Sequence, residues 1–184
     1  MSSSLFETDL IRFRPFKKDD IDLLDEYLNH PELMGRKNLP WGFSEYIPLS
    51  RPQIEEIHKK WIEKKKGIAL AIEEVSTSTF LGHIVIDYGW DTLQPSISIT
   101  ITPSKQKKRF GTEALHLGIN YIFNSLPAMQ INCWISESNA IGLQFAEKNG
   151  FKQGGRMRRV GMAQGKFYDL IVCDMLKTEW RGNQ

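Results

Sequence analysis

The sequence predicts an α/β protein with a mixed, largely antiparallel central sheet and helices on both faces. Segments that alternate apolar and polar residues, as half-buried strands do, are interspersed with segments whose apolar residues recur every three or four positions. Glycine, proline and small polar residues separate these segments. The predicted order is strand, two helices, three strands, helix, strand, helix and a closing pair of strands.

Composition indicates one ordinary globular domain spanning residues 1–184. The chain has 24 basic and 22 acidic residues, a net charge of +2, and no apolar stretch near the roughly 20 residues of a membrane span. Its first residues lack the features of a signal peptide, so we expect a cytoplasmic protein without a membrane partner. Cys133 and Cys173 form no metal-binding pattern with the four histidines.

The first predicted strand covers residues 10–16, where apolar and basic residues alternate. An amphipathic helix follows it. Either Asp19 or Asp20 is expected to cap this helix, and Pro31 to stop it.

A proline- and glycine-rich loop is predicted over residues 31–49, with Trp41, Phe43 and Tyr46 in it. Long loops without regular structure are uncommon inside compact domains unless they have a function. We therefore expect this loop to border a substrate pocket.

The second helix has the clearest boundaries. Ser50 and Gln53 form a capping-box pattern at its start, and Gly67 is expected to end it. Three strands should follow as an antiparallel meander. They are predicted at residues 68–74, 80–88 and 96–102.

The second half of the chain begins with a helix over about residues 111–124 and a strand over residues 129–135. Asn139, with Ser138, can cap the next helix, which should stop at Gly150. Two long strands, joined by a two-residue turn at 164–165, are predicted to close the sheet. They are predicted at residues 156–163 and 166–176.

A basic turn joins the third meander strand to the following helix. It contains Lys105, Lys107, Lys108 and Arg109, and Gly111 stands where the helix starts. The unpaired amides and positive dipole end of a helix favour bound phosphate. Charge runs are also common on solvated surfaces, so the run alone leaves phosphate binding and a plain surface about equally open.

Two segments carry a resemblance to a known family. The turn from Gln106 to Gly111 resembles the acyl-coenzyme A (CoA) pyrophosphate loop of the GCN5-related N-acetyltransferase (GNAT) superfamily, although Arg109 replaces its first glycine. Residues 139–151, Asn-Ala-Ile-Gly-Leu-Gln-Phe-Ala-Glu-Lys-Asn-Gly-Phe, are similar to another motif of that family.

The resemblance extends along nearly the whole chain. Residues 10–20 are similar to the opening strand and helix of the ribosomal-protein alanine acetyltransferase branch, and residues 155–158, 165–169 and 179–180 to its C-terminal half. It implies a GNAT-like fold and transfer of an acetyl group from acetyl-CoA to a primary amine. That transfer would occur within a ternary complex, without a metal or a covalent enzyme intermediate.

The resemblance also implies a binding site for acetyl-CoA. Backbone amides of Ile99, Thr100 and Ile101 would stabilise the thioester oxyanion and hold the pantetheine arm. The remaining implied CoA contacts are Gln106, Lys107, Lys108, Arg109, Phe110, Gly111, Thr112, Asn139, Phe145 and Lys148.

The proton-transfer residues are less well defined. Positions where the family often has glutamate, serine and tyrosine hold Ser96, Gly142 and Ala146. Asn139 is expected to contact pantetheine or order a water, and it can equally be a plain helix cap. Other candidates for acid or base are His83, Asp87, Glu137 and Ser138, with His83 also open to a purely structural role.

Three functions remain open from sequence. The first is an N-acetyltransferase for a protein N-terminus or a small amine, acting as a monomer or homodimer. The second is a catalytically degenerate acyl-CoA-binding or sensor protein, since three usual proton-handling residues are replaced. The third is nucleic-acid binding by the two basic clusters, which is disfavoured because no aromatic stacking platform is evident beside them.

Overall fold

The computed structural model describes residues 5–40, 42–89 and 92–181. Seven strands within these ranges form one sheet, and four α-helices pack on it. The strands are β1 (Ile11–Arg14), β2 (Gly67–Glu74), β3 (Phe80–Asp87), β4 (Ser96–Ile101), β5 (Gln130–Ser136), β6 (Lys152–Ala163) and β7 (Lys166–Leu176). The helices are α1 (Asp20–Leu28), α2 (Arg51–Ile62), α3 (Phe110–Ser125) and α4 (Ala140–Lys148).

The sheet is mixed and largely antiparallel, as predicted. Its strand order is β1-β2-β3-β4-β5-β7-β6, and every recorded pairing between these strands is antiparallel except that of β4 with β5. Two apolar clusters lie on its two faces: α1 and α2 pack on one, and α3 and α4 on the other. No helix in the described ranges is long and apolar enough to cross a membrane.

The predicted cap of α1 is only half right. Asp19 occupies the N-cap position, but within the described residues its side chain makes no capping hydrogen bond. Asp20 instead binds the guanidinium of Arg14, with Nη1 and Oδ2 2.7 Å apart, and accepts a hydrogen bond from the backbone N–H of Lys17. This carboxylate therefore joins α1 to β1.

The capping box of α2 is confirmed, because the Gln53 side chain accepts a hydrogen bond of 2.8 Å from the backbone N–H of Ser50. The predicted helix end at Gly67 is wrong. The last helical residue is Ile62, and Gly67 begins β2 with a φ of 132°. A Cβ at Gly67 would lie 2.1 Å from the Ile86 carbonyl oxygen, so glycine is needed there for close strand approach.

The closing strands differ from prediction at one end. β6 begins at Lys152, before the predicted residue 156, and its pairing with β7 is interrupted by irregularities near Gly155 and Gly161. Glycines at bulges hid the strand pattern there. The predicted turn is confirmed, and both of its residues, Gln164 and Gly165, have positive φ as a tight hairpin requires.

Candidate active site

The main cleft opens between two parallel strands in the middle of the sheet. Among the described residues, β4 and β5 pair at a single position, Ser96 with Asn132. Beyond this pair a cleft of about 140 Å³ lies between the strands, and residues of both line it. One end of the cleft faces the loop before α2, and the other reaches the apolar residues of α3 and α4.

Backbone groups of β4 border this cleft. The N–H of Thr102 donates to Leu81 across the β3 side, at 2.8 Å, while the N–H of Asn132 donates to Pro95 on the β5 side, at 3.1 Å. Because strand hydrogen bonds alternate in direction, the N–H and C=O groups of Ile99 and Ile101 point away from β3, towards the cleft.

Gln106 stabilises this edge. Its Nε2 donates a hydrogen bond of 2.9 Å to the carbonyl oxygen of Ile101. The amides of Ile99 and Ile101 remain directed at the cleft, where an oxyanion or a pantetheine amide could accept from them.

The basic turn has two residues in the left-handed backbone region. Lys107 has a φ of 60° and Arg109, the N-cap of α3, a φ of 67°. Glycine adopts this conformation without a Cβ penalty. The turn therefore keeps the shape that a glycine would favour, although arginine stands at that position.

The amides that begin α3, from Arg109 to Thr112, lack intrahelical partners by their position. The Arg109 side chain extends along the helix to Glu113, with Nη2 and Oε1 3.2 Å apart, and is 82% exposed. It therefore leaves the space over these amides open. The ideal Cβ of Gly111 would lie 3.7 Å from both Ile101 and Phe145, at the wide end of the cleft.

The other basic residues of the turn are divided. Lys105 pairs with Glu74, with Nζ and Oε2 3.4 Å apart, whereas Lys107 and Lys108 are exposed. Of the remaining predicted CoA contacts, Phe110 is buried in the core and Lys148 is exposed at the end of α4, away from the residues that line the cleft.

Asn139 caps α4 and lines the cleft. Its Oδ1 accepts a hydrogen bond of 3.0 Å from the N–H of Gly142. A Cβ on Gly142 would lie 2.5 Å from Asn139 Nδ2, so glycine leaves room for this capping side chain. The cap predicted for Asn139 is confirmed.

The loop at residues 31–49 does border the cleft, through Gly35, Arg36, Asn38 and Glu45. Trp41 lies outside the described residues. Tyr46 lies across Gly35, where a Cβ would be 2.6 Å from its ring, and stacks near Tyr168 with ring centroids 5.2 Å apart.

Glu45 is the acidic side chain that sequence reasoning missed. It lines the cleft, and its Oε1 accepts a hydrogen bond of 3.3 Å from the N–H of Leu39. Burial raises the pKa of the Glu45 carboxyl, although backbone hydrogen bonds and the charge of Lys37 oppose the rise. A half-buried carboxylate with a raised pKa in a cleft is a typical general base.

Lys37 is fully buried beside this loop. Its Nζ donates a hydrogen bond of 2.8 Å to the carbonyl oxygen of Ile47, and its own carbonyl oxygen accepts one from Thr100. Burial lowers the pKa of Lys37, while the charge of Glu45 partly restores it. Lys37 therefore joins the loop to β4 and places a positive charge near Glu45.

A chain of hydroxyl groups lies at the same end. Ser136, which lines the cleft, is 2.8 Å from Ser138 and 3.3 Å from Tyr46, oxygen to oxygen. Ser138 was predicted from sequence, whereas Tyr46 and Ser136 come together with it only in the folded chain.

Two predicted acid–base candidates lie elsewhere. His83 is fully buried among α1 and α2, where its Nδ1 contacts the Tyr27 hydroxyl and its ring lies 4.3 Å from that of Trp61. Burial lowers the pKa of His83 to about 3. Asp87 is bound by Lys64 at 2.5 Å, and this contact outweighs burial and holds the pKa of Asp87 below its ordinary value.

These positions do not suit a base. His83 and Asp87 share a face of β3, as their spacing predicts, but neither is among the residues that line the cleft. Glu137 lies next to the cleft residue Ser136, but its carboxylate binds Arg156 at 3.0 Å.

Comparison with known proteins identifies the family. The model of the acetyltransferase (GNAT) domain matches residues 11–152, which is most of the chain. The protein belongs to the GNAT acetyltransferases. The resemblance drawn from residues 106–111 and 139–151 is thereby confirmed at the level of the family.

Relatives and solved structures agree with this assignment. The chain is 23% identical over 177 residues to the uncharacterized N-acetyltransferase p20 of Bacillus licheniformis, which covers 95% of this chain and 97% of that protein. A GNAT-family acetyltransferase from Bacillus anthracis superimposes with a TM-score of 0.80, at 18% identity, over 95% of this chain and 99% of the other.

A spermidine N-acetyltransferase from Vibrio cholerae, solved with CoA and spermine, superimposes with a TM-score of 0.76. It is 18% identical and covers 94% of this chain and 98% of its own. These structural likenesses establish the GNAT-like fold, including the parallel pair at the centre of the sheet.

Proposed function

We propose that this GNAT protein transfers an acetyl group from acetyl-CoA to the α-amine of a protein or peptide, by direct attack in a ternary complex. The observation that carries the proposal is the cleft between β4 and β5. It joins the backbone amides of Ile99 and Ile101 at one wall to the Glu45 carboxylate at the other.

Acetyl-CoA would bind along β4 and the start of α3. Its pyrophosphate accepts hydrogen bonds from the amides of residues 109–112, with Lys107 and Lys108 adding charge. Its pantetheine arm lies along Ile99 and Ile101 and passes Asn139 and Phe145, which line the cleft. Most of these contacts come from backbone groups.

The reaction requires a neutral amine. Glu45 takes one proton from the ammonium group, and the nitrogen attacks the thioester carbon to form a C–N bond. The developing oxyanion accepts hydrogen bonds from the Ile99 edge. The C–S bond then breaks, its electron pair goes to sulfur, and the thiolate takes a proton through the hydroxyl chain of Tyr46, Ser136 and Ser138.

The surroundings of the cleft favour an α-amine. Arg36 lines its mouth, and Arg156 binds Glu137 next to Ser136, so a polyamine with several positive charges would meet like charges. An α-amine has a pKa of about 7.7–8.0, against about 10.4 for an alkyl amine such as lysine, so a modest base suffices. This choice agrees with the resemblance to the ribosomal-protein alanine acetyltransferase branch.

The second candidate is an acyl-CoA-binding or sensor protein without turnover. Gly142 and Ala146, which both line the cleft, favour it because neither side chain can transfer a proton. Glu45 favours the enzyme, since it supplies a carboxylate that those positions lack.

The test is release of CoA thiol from acetyl-CoA, measured with a thiol reagent against an amine panel. Peptides beginning with alanine, serine or methionine, spermidine and free lysine form the panel. We expect turnover with peptides to exceed that with spermidine at neutral pH. Faster turnover of spermidine would refute the assigned acceptor, and CoA binding without thiol release for any amine would support the sensor.

A further inference from the structure

The cleft is polar at one end and apolar at the other. Near the loop it is lined by Arg36, Glu45 and Ser136. On the α3 and α4 side it is lined by apolar side chains that belong to the main core of the protein. They are Ile97, Leu115, Cys133, Ala146 and Phe151.

The apolar end is deep. Ile97, Leu115, Ala146 and Phe151 are each between 3% and 5% exposed, yet all four line the cleft. The cleft therefore penetrates the core itself. An apolar group that enters this end leaves water almost completely, which is the condition for a favourable hydrophobic contribution.

The direction of the cleft follows α3. Gly111, at the start of the helix, packs beside Ile101, whereas a Cβ on Gly118 would lie 2.8 Å from Ile97. These seven residues correspond to about 10 Å of helix. A CoA ester with its phosphates at the start of α3 would thus point its acyl group towards Ile97 and the narrow end.

The size of this space exceeds the needs of a two-carbon group. The cleft encloses about 140 Å³, and an engineered apolar cavity of about 150 Å³ is large enough for benzene. Two small side chains, Ala146 and Cys133, contribute to this room. An acetyl methyl would leave part of the apolar end unfilled.

We infer that this end of the cleft is an acyl-chain pocket, which admits propionyl and butyryl groups as well as acetyl. The inference rests on the proposed acyl-CoA function and extends its donor class. The chemistry is unchanged: the amine forms a C–N bond with the acyl carbon, the C–S bond breaks, and CoA leaves as the thiol. The products are the N-acyl amine, CoA and one proton taken up by Glu45.

The first experiment measures dissociation constants of acetyl-, propionyl- and butyryl-CoA by calorimetry without any amine. We expect affinity to rise by about fourfold for each added methylene, the effect of burying one CH₂ group. Ala146→Leu should remove this rise and leave acetyl-CoA binding within about threefold. Ala140→Leu makes the same change at an exposed position of α4 and should keep the rise.

The second experiment measures thiol release with the same three donors and the best acceptor peptide. Wild type should use all three, and Ala146→Leu should lose at least tenfold with butyryl-CoA while keeping acetyl-CoA. If Ala146→Leu fails to fold, Ala146→Val should show the same loss to a smaller extent.

Two results would overturn the pocket: affinity independent of chain length in wild type, or an equal response of Ala146→Leu and wild type to chain length. Both leave the proposed function intact if acetyl-CoA is turned over. Failure of all three CoA esters to bind would instead refute the proposed function.

Discussion

The two walls of the cleft are built in different ways. The α3 wall, residues 99–112, presents mainly backbone amides and a helix N-terminus, whereas the loop wall, residues 34–49, presents the side chains of Glu45, Arg36 and Asn38. A backbone site keeps its donors when side chains change, which explains how Arg109 can replace a glycine. The loop wall depends on the identity of each side chain.

The largest effect should follow from a change on the loop wall. Glu45→Gln removes the proposed base without changing its size, so kcat should fall by about 10²- to 10⁴-fold, the usual contribution of general base catalysis. The dissociation constant for CoA should stay within about twofold. Steady-state kinetics and calorimetry measure the two quantities.

Asp87→Asn provides the contrast. It makes the same change in a carboxylate that binds Lys64 outside the cleft, and kcat should stay within about threefold of wild type. Equal losses in the two variants would mean that the base has been misplaced.

The next effect is a displaced pH profile. The positive charge of Lys37 lowers the pKa of Glu45, so Lys37→Met should raise that pKa further. Because Glu45 must be ionised to accept a proton, the acid limb of kcat/KM should move to higher pH. Measurement of kcat/KM between pH 5 and pH 9, pH values chosen to bracket the ordinary carboxyl and α-amine pKa values, tests this.

Lys37 is buried, so Lys37→Met needs a folding control. Circular dichroism and thermal unfolding should show a folded protein, since methionine retains most of the buried chain. An unmoved acid limb in a folded variant would separate Glu45 from the pH dependence.

Asn139→Ala tests the end of the α3 wall that adjoins α4. It removes the capping hydrogen bond to Gly142, which should lower the free energy of unfolding by about 1 kcal/mol. Urea unfolding measures this loss, with Ser138→Ala as the neighbouring control. A loss of kcat much beyond the change in stability would show that Asn139 also contacts the substrate.

The smallest effect is expected at Arg109. Arg109→Gly and Arg109→Ala remove the same charge, so a difference between them reports on the backbone alone. Arg109→Gly should be more stable by about 0.5–1 kcal/mol, because φ is positive at this position and glycine offsets part of its benefit by greater chain entropy. Urea unfolding of both variants measures the difference.

The CoA dissociation constants of the same two variants sharpen the contrast between the walls. We expect both to bind within about threefold of each other, since the phosphate contacts come from amides. Much weaker binding by Arg109→Ala alone would show that the turn loses its shape.

Most of the fold followed from local patterns. The meander, the capping box at Ser50 and the hairpin at 164–165 were predicted correctly because their signals lie within a few residues. The errors lie where the signal is ambiguous. Gly67 serves a close strand approach instead of a helix end, and the glycines near residue 155 belong to a bulged strand.

The candidate base shows the limit of such patterns. Glu45 lies in an irregular loop, with no motif around it, and its raised pKa results from burial against distant parts of the chain. His83 and Asp87 had favourable spacing on one strand, but their partners, Tyr27 and Lys64, come from other elements. Spacing alone does not reveal these partners.

The sequence by itself determined the family, the order of elements and the phosphate-binding turn, because each depends on residues that are neighbours in the chain. Only the tertiary structure decided where the acidic and hydroxyl groups of the cleft meet and how deep its apolar end reaches. Glu45, Ser136 and Ala146 come from a loop, a strand and a helix. Their distances, solvent exposure and pKa values arise from packing between elements, which the linear order does not record.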